Sequence, residues 1–111
     1  METRTLASTL DRFTRFAAVE GFTLDFGNGE TNPADALASA ILYGDGLAFE
    51  LIETTDRRRS IGIAHISADG GTVRLLGARR RARREGRFDG LARRLRADGL
   101  AAVDFEQPDV Q

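Results

Sequence analysis

Arginine is the residue type with the clearest chemical potential in this chain. All 16 basic residues are arginine and lysine is absent. Six of them fall within nine positions, Arg79-Arg80-Arg81-Ala82-Arg83-Arg84-Glu85-Gly86-Arg87. Like charges packed this closely repel, and the repulsion is relieved by solvent or by an anion. On a helix, Arg80, Arg83, Arg84 and Arg87 share one face with Arg79 beside them. A stripe of that kind neutralises several phosphates and binds a nucleic-acid backbone without reading bases. Arg57, Arg58 and Arg59 form a second cluster at a predicted strand connection, where they would extend the same anion-binding surface. Aromatic residues do not interleave with either cluster, so stacking on bases has no support. No helix-turn-helix, zinc finger or RNP-like motif accompanies them.

The other chemistry-bearing residues are sparse. His65 is the lone histidine, and cysteine is absent. This excludes disulfides, thiolate metal centres and cysteine nucleophiles. Between Ala64 and Ile66 in a predicted strand, His65 reads as a structural residue; a small enzyme or ligand-binding domain built around it is the third reading. Glu50 and Glu53 would point to opposite faces of a strand and make a poor acid/base pair. Ser39, Ser60 and Ser67 lack the context of a nucleophile elbow. Gly27-Asn28-Gly29 precedes a helix like a phosphate loop, but without the dinucleotide glycine pattern or the P-loop lysine it reads as a turn. We therefore expect a non-enzymatic protein with no catalytic residues, no metal site and no cofactor.

Charge is divided sharply along the chain. Residues 1–56 carry ten acids and three arginines, residues 57–96 thirteen arginines and three acids, and residues 97–111 four acids and no arginine. The blocks are −7, +10 and −4, which sum to the net charge of −1. Either the fold keeps a basic and an acidic surface apart, or it mixes the segments into ion pairs.

These residues must be positioned by one domain, since 111 residues leave no room for a second of ordinary size. We assign residues 1–105 to it and 106–111 to a frayed tail. The first element is a helix from Thr3 to Glu20, with Leu6, Leu10, Phe13, Phe16 and Ala17 as its apolar stripe and Gly21 as its stop. Phe22, Leu24 and Phe26 alternate as a strand. Asn32 caps a helix that starts at Pro33 and buries Ala34, Leu37, Ala38 and Ile41. Strands follow at Leu47–Thr55, Ile61–Ser67 and Thr72–Leu76. The second shows a parity shift that implies a bulge or burial on both faces. Asp69-Gly70-Gly71 makes the last hairpin turn. Phe88, Leu91, Ala92 and Leu95 mark a final helix with Asp89 as N-cap, and Ala101, Val103 and Phe105 a final strand.

The order α-β-α-β-β-β-α-β predicts an α+β fold, with helices packed on one face of a mainly antiparallel sheet. No segment has the length of a signal peptide core or a membrane span, so a cytoplasmic location is expected. The leading function is a small binding or regulatory module that docks its arginines on an anionic macromolecule, either nucleic acid or an acidic protein. The alternative is a protein-only adaptor, inhibitor or immunity-type protein that binds through its acidic first half or an edge strand. Leu100–Phe105, apolar on both faces, is the edge that would pair copies into a homodimer.

Overall fold

The computed structural model describes residues 5–56, 59–76, 86 and 88–103, with the backbone alone for 101–103. Its elements are α1 (Leu6–Val19), β1 (Phe22–Asp25), α2 (Ala34–Tyr43), β2 (Leu47–Glu53), β3 (Ser60–Ile66), β4 (Thr72–Leu76), α3 (Asp89–Ala97) and β5 (Ala101–Val103). The strands form one sheet in the order β1-β2-β3-β4-β5. The first four pair antiparallel, and β5 lies parallel to β4. A parallel neighbour requires a crossover, which α3 provides. The expected α+β order and the predominance of antiparallel pairing are both present.

Alternation along each strand separates the two faces of the sheet. Leu24, Leu51, Phe49, Leu47, Ala64, Ile66, Val73 and Leu75 are buried toward the helices. Phe49 joins the layers, with its ring centroid 5.1 Å from Phe13 of α1 and 5.3 Å from Phe26. Ala48, Glu50, Ile63, His65, Arg74 and Leu76 occupy the opposite face, where each is exposed or half-buried. Antiparallel partners share a face, so register alone produces this division: Phe49 pairs with Ala64 and Ala64 with Leu75.

The parity shift in β3 is a bulge. Leu51 pairs with Gly62 and Ile52 with Ser60, which leaves Ile61 as an extra residue. The bulge turns Ile61 into the core while Ile63 stays 40% exposed on the open face.

Helix ends differ by a few residues from expectation, each for a local reason. α1 begins at Leu6 because Thr5 is its N-cap: Ser8 N–H donates to Thr5 Oγ1 at 3.1 Å, and Thr5 N–H donates to Ser8 Oγ at 3.0 Å. The N-cap of α2 is Pro33, one residue after the expected Asn32. Asn32 still serves that end, since its Oδ1 accepts from Ala34 N–H at 2.9 Å. Within α2 only Ala40 is fully buried; Ala34, Ala38 and Ile41, expected inside, are exposed. The N-cap of α3 is Phe88 rather than Asp89. Phe88 is buried against Phe22, with ring centroids 6.0 Å apart, and this packing sets where the helix starts.

The 67–72 hairpin is tied to the start of α1. Gly70 has φ +75°. Its carbonyl accepts from the hydroxyl of Thr9, the buried polar residue of the helix face, at 2.6 Å. Buried hydroxyls require such a partner.

Candidate functional site

Of the eight arginines expected to bind an anion, Arg59 is described. It is half-buried beside β3, its N–H donates to the Asp56 carbonyl at 2.9 Å, and its carbonyl accepts from Glu53 N–H at 3.1 Å. Arg57, Arg58, Arg79, Arg80, Arg83, Arg84 and Arg87 lie outside the described residues. β2 ends at Glu53 and β3 begins at Ser60, so the first cluster falls between these strands in sequence. Antiparallel pairing of Leu76 with Ile63 makes β4 run toward the Ser60 end of β3. Leu76 therefore stands at the end of the sheet where β2 finishes and β3 begins. Phe88 is at the same end, since it packs on Phe22, the residue paired with Glu53. Glu20 and Gly21 are here too, since Thr54 N–H donates to the Gly21 carbonyl at 2.9 Å.

The opposite end is rich in carboxylates. Asp25 Oδ1 accepts from Gly27 N–H at 2.7 Å and Gly29 N–H at 3.2 Å. The turn that looked like a phosphate loop thus already encloses the protein's own carboxylate. Glu30 accepts from Asn32 N–H at 2.8 Å. Asp69 accepts from the Ser67 hydroxyl at 2.7 Å and Gly71 N–H at 2.8 Å. These two bonds, the hydroxyl first, favour the ionised form and hold its carboxyl below the usual aspartate value. Asp45 follows α2 and is exposed.

Ion pairs among the described residues include Arg12 to Asp98 at 2.9 Å, Arg15 to Asp11 at 2.8 Å and Arg94 to Glu20 at 2.7 Å. Arg93, Arg94 and Arg96 are exposed, on the side of α3 away from buried Leu91 and Leu95.

His65 stands on the open face between Ala48 and Arg74 in register. Its ring lies over Gly46, where an added Cβ would sit 2.6 Å from Nε2. Among the described residues it has no hydrogen bond to a carboxylate. Glu50 and Glu53 are on opposite faces as expected. Register instead brings Asp25 opposite Glu50, a neighbour relation that sequence spacing concealed. The turn N–H groups hold Asp25, whereas the Ser60 hydroxyl donates to Glu50 at 2.7 Å. Among the described residues no group of three or more His, Asp or Glu is gathered as for a metal.

Among the described residues, two apolar grooves flank the helices. One of about 290 Å³ lies between α1 and the β1 edge, lined by Thr14, Ala18, Phe26, Thr31 and Pro33 among others. The second, about 440 Å³, lies between the start of α1 and the end of α2, with Leu6, Ala40, Ile41 and Ala68 as walls and Asp45 and Asp69 as its charged lining. Sequence reasoning missed this groove because it joins residues far apart in the chain. No helix among the described residues is long and apolar enough to cross a membrane. Comparisons with protein-family profiles, curated proteins and solved structures find no match.

Proposed function

We propose that the protein is a small, non-enzymatic binding module that docks on an anionic macromolecule through Arg57, Arg58, Arg59, Arg79, Arg80, Arg83, Arg84 and Arg87. The observation that carries this reading is topological: both arginine stretches are bracketed by elements that meet at one end of the sheet. Two clusters some twenty residues apart in sequence thereby address one partner. The carboxylates of Asp25, Glu30 and Asp69 are engaged in turns at the far end of the sheet. The partner that fits is a nucleic-acid backbone or an acidic protein surface.

A salt titration of duplex DNA binding tests the reading. Four or five phosphate contacts give a log–log slope of about −4. Charge reversal of Arg80, Arg83 and Arg84 to glutamate lowers affinity by about tenfold or more at low salt and flattens the slope. Binding unchanged by the triple reversal overturns the assignment.

A second contact is favoured by the position of β5 at one edge of the sheet. Unpaired backbone groups on an edge accept another strand, so two copies pair through it. The residues 104–105 of the expected edge segment lie outside the described residues.

A further inference from the structure

We propose that the C-terminal half of α2, with the groove beside it, docks a basic amphipathic segment of another protein. This makes specific the reading in which the acidic first half binds protein, and it is independent of the arginine clusters.

Ile41, Leu42 and Tyr43 are 59%, 75% and 72% exposed. Three consecutive apolar side chains at 100° intervals cover an arc of about 200° around the helix. A helix apolar over so wide an arc is ordinarily buried. Here the fold covers Ala40 fully and Leu37 in part. The helix is rigidly ended beneath these side chains: Gly44 takes φ +69°, and Asp45 N–H returns to the Ala40 carbonyl at 2.9 Å. The apolar side chains are therefore presented on a fixed frame, which lowers the ordering cost of binding. One turn earlier, Ala38 and Ser39 are small and exposed below Leu42 and Tyr43, leaving space for close approach of a second backbone.

Charge chooses the occupant. The groove walls are apolar, and its charged lining consists of the carboxylates of Asp45 and Asp69. Asp35 on α2 is a third exposed carboxylate, two turns from Leu42 on the same side. The hydrogen bonds from Ser67 and Gly71 keep Asp69 ionised into the acid range. A second copy bound across a two-fold axis at α2 would bring these carboxylates against their own counterparts. An apolar segment flanked by lysine or arginine meets both requirements: an aliphatic or aromatic side chain fills the groove against Ile41 and Leu6, and its cations meet Asp45 and Asp69. This is the helix-in-groove mode of recognition with the charges set for a basic ligand.

The test uses the full chain and a fluorescent synthetic helix of about 16 residues with leucine on one face and arginine on the other. Two control peptides replace all its arginines by glutamate or all its leucines by serine. The amphipathic basic peptide binds about tenfold tighter than either control. Combined Ile41→Ser and Leu42→Ser substitution weakens it by about tenfold with an unchanged thermal melt, since both side chains are exposed. Asp45→Asn weakens it several-fold and reduces its salt dependence. Binding of the leucine-free peptide at equal strength overturns the proposal, because charge alone then suffices. So does concentration-dependent dimerisation in light scattering that the serine pair abolishes, which assigns the patch to a second copy. Binding unaffected by the serine pair places the peptide elsewhere. Retained binding on charge reversal of Arg80, Arg83 and Arg84 separates this surface from the anion-binding one.

Discussion

Gly70→Ala probes the joint that holds α1 on the sheet. At φ +75° an L-residue pays about 1 kcal/mol relative to glycine. The added Cβ would overlap the Thr5 carbonyl oxygen and sit 2.9 Å from Leu6 nitrogen. Both are backbone atoms of the capped first turn of α1, so relief requires moving the helix rather than turning a side chain. That movement stretches the 2.6 Å bond from Thr9 to the Gly70 carbonyl, whose loss in a buried site costs about 1–3 kcal/mol. Together the terms reach about 3 kcal/mol, or a Tm lower by roughly 10–15 °C in a domain of this size. Gly71→Ala is the control: its Cβ would meet the Asp69 carboxylate at 3.2 Å, a side chain that can yield. Thr9→Val removes the hydroxyl while keeping the shape. In a thermal-melt cycle, Thr9→Val and Gly70→Ala together cost less than their sum, because both lose the same hydrogen bond. A Gly70→Ala melt no lower than that of Gly71→Ala refutes the argument. The same displacement would disturb Thr5 and Leu6, which line the α2 groove, so peptide affinity falls with stability.

The carboxyl of Asp69 titrates below its ordinary value because the Ser67 hydroxyl, and then Gly71 N–H, bond its charged form. A group with a depressed folded-state pKa contributes stability above its unfolded-state pKa, and that contribution is lost as pH falls through the folded value. An NMR titration should therefore place Asp69 below the usual aspartate midpoint, and Ser67→Ala should move it upward; an unmoved midpoint rejects the hydroxyl as the main cause. For the sheet edge, Val103→Asp is expected to convert any dimer to monomer in light scattering while circular dichroism stays unchanged. A dimer that survives this substitution pairs through another surface.

Local periodicity was sufficient for the elements and much of the core. Leu6, Leu10, Phe13 and Ala17 recur at helical spacing and are buried together, and Asp69-Gly70-Gly71 turns the chain as its residue types demand. The parity break in β3 announced a bulge, but pairing was needed to show that Ile61 is the extra residue. The exposure of α2 has a different cause. Its alanines and Ile41 satisfy an apolar helical pattern, but periodicity does not say how much surface the rest of the fold offers to cover that pattern. Arginine clustering was likewise plain in the sequence, as was the uneven charge.

The sequence by itself determined the order of elements, their faces and the segregation of charge into blocks, because these depend on neighbours a few positions apart. Only the tertiary structure decided that the brackets of both arginine stretches meet at one end of the sheet, that Asp25 stands opposite Glu50, and that α2 leaves Ile41, Leu42 and Tyr43 uncovered beside two carboxylates. Those facts depend on strand direction, register and packing, which bring together residues that no local spacing relates.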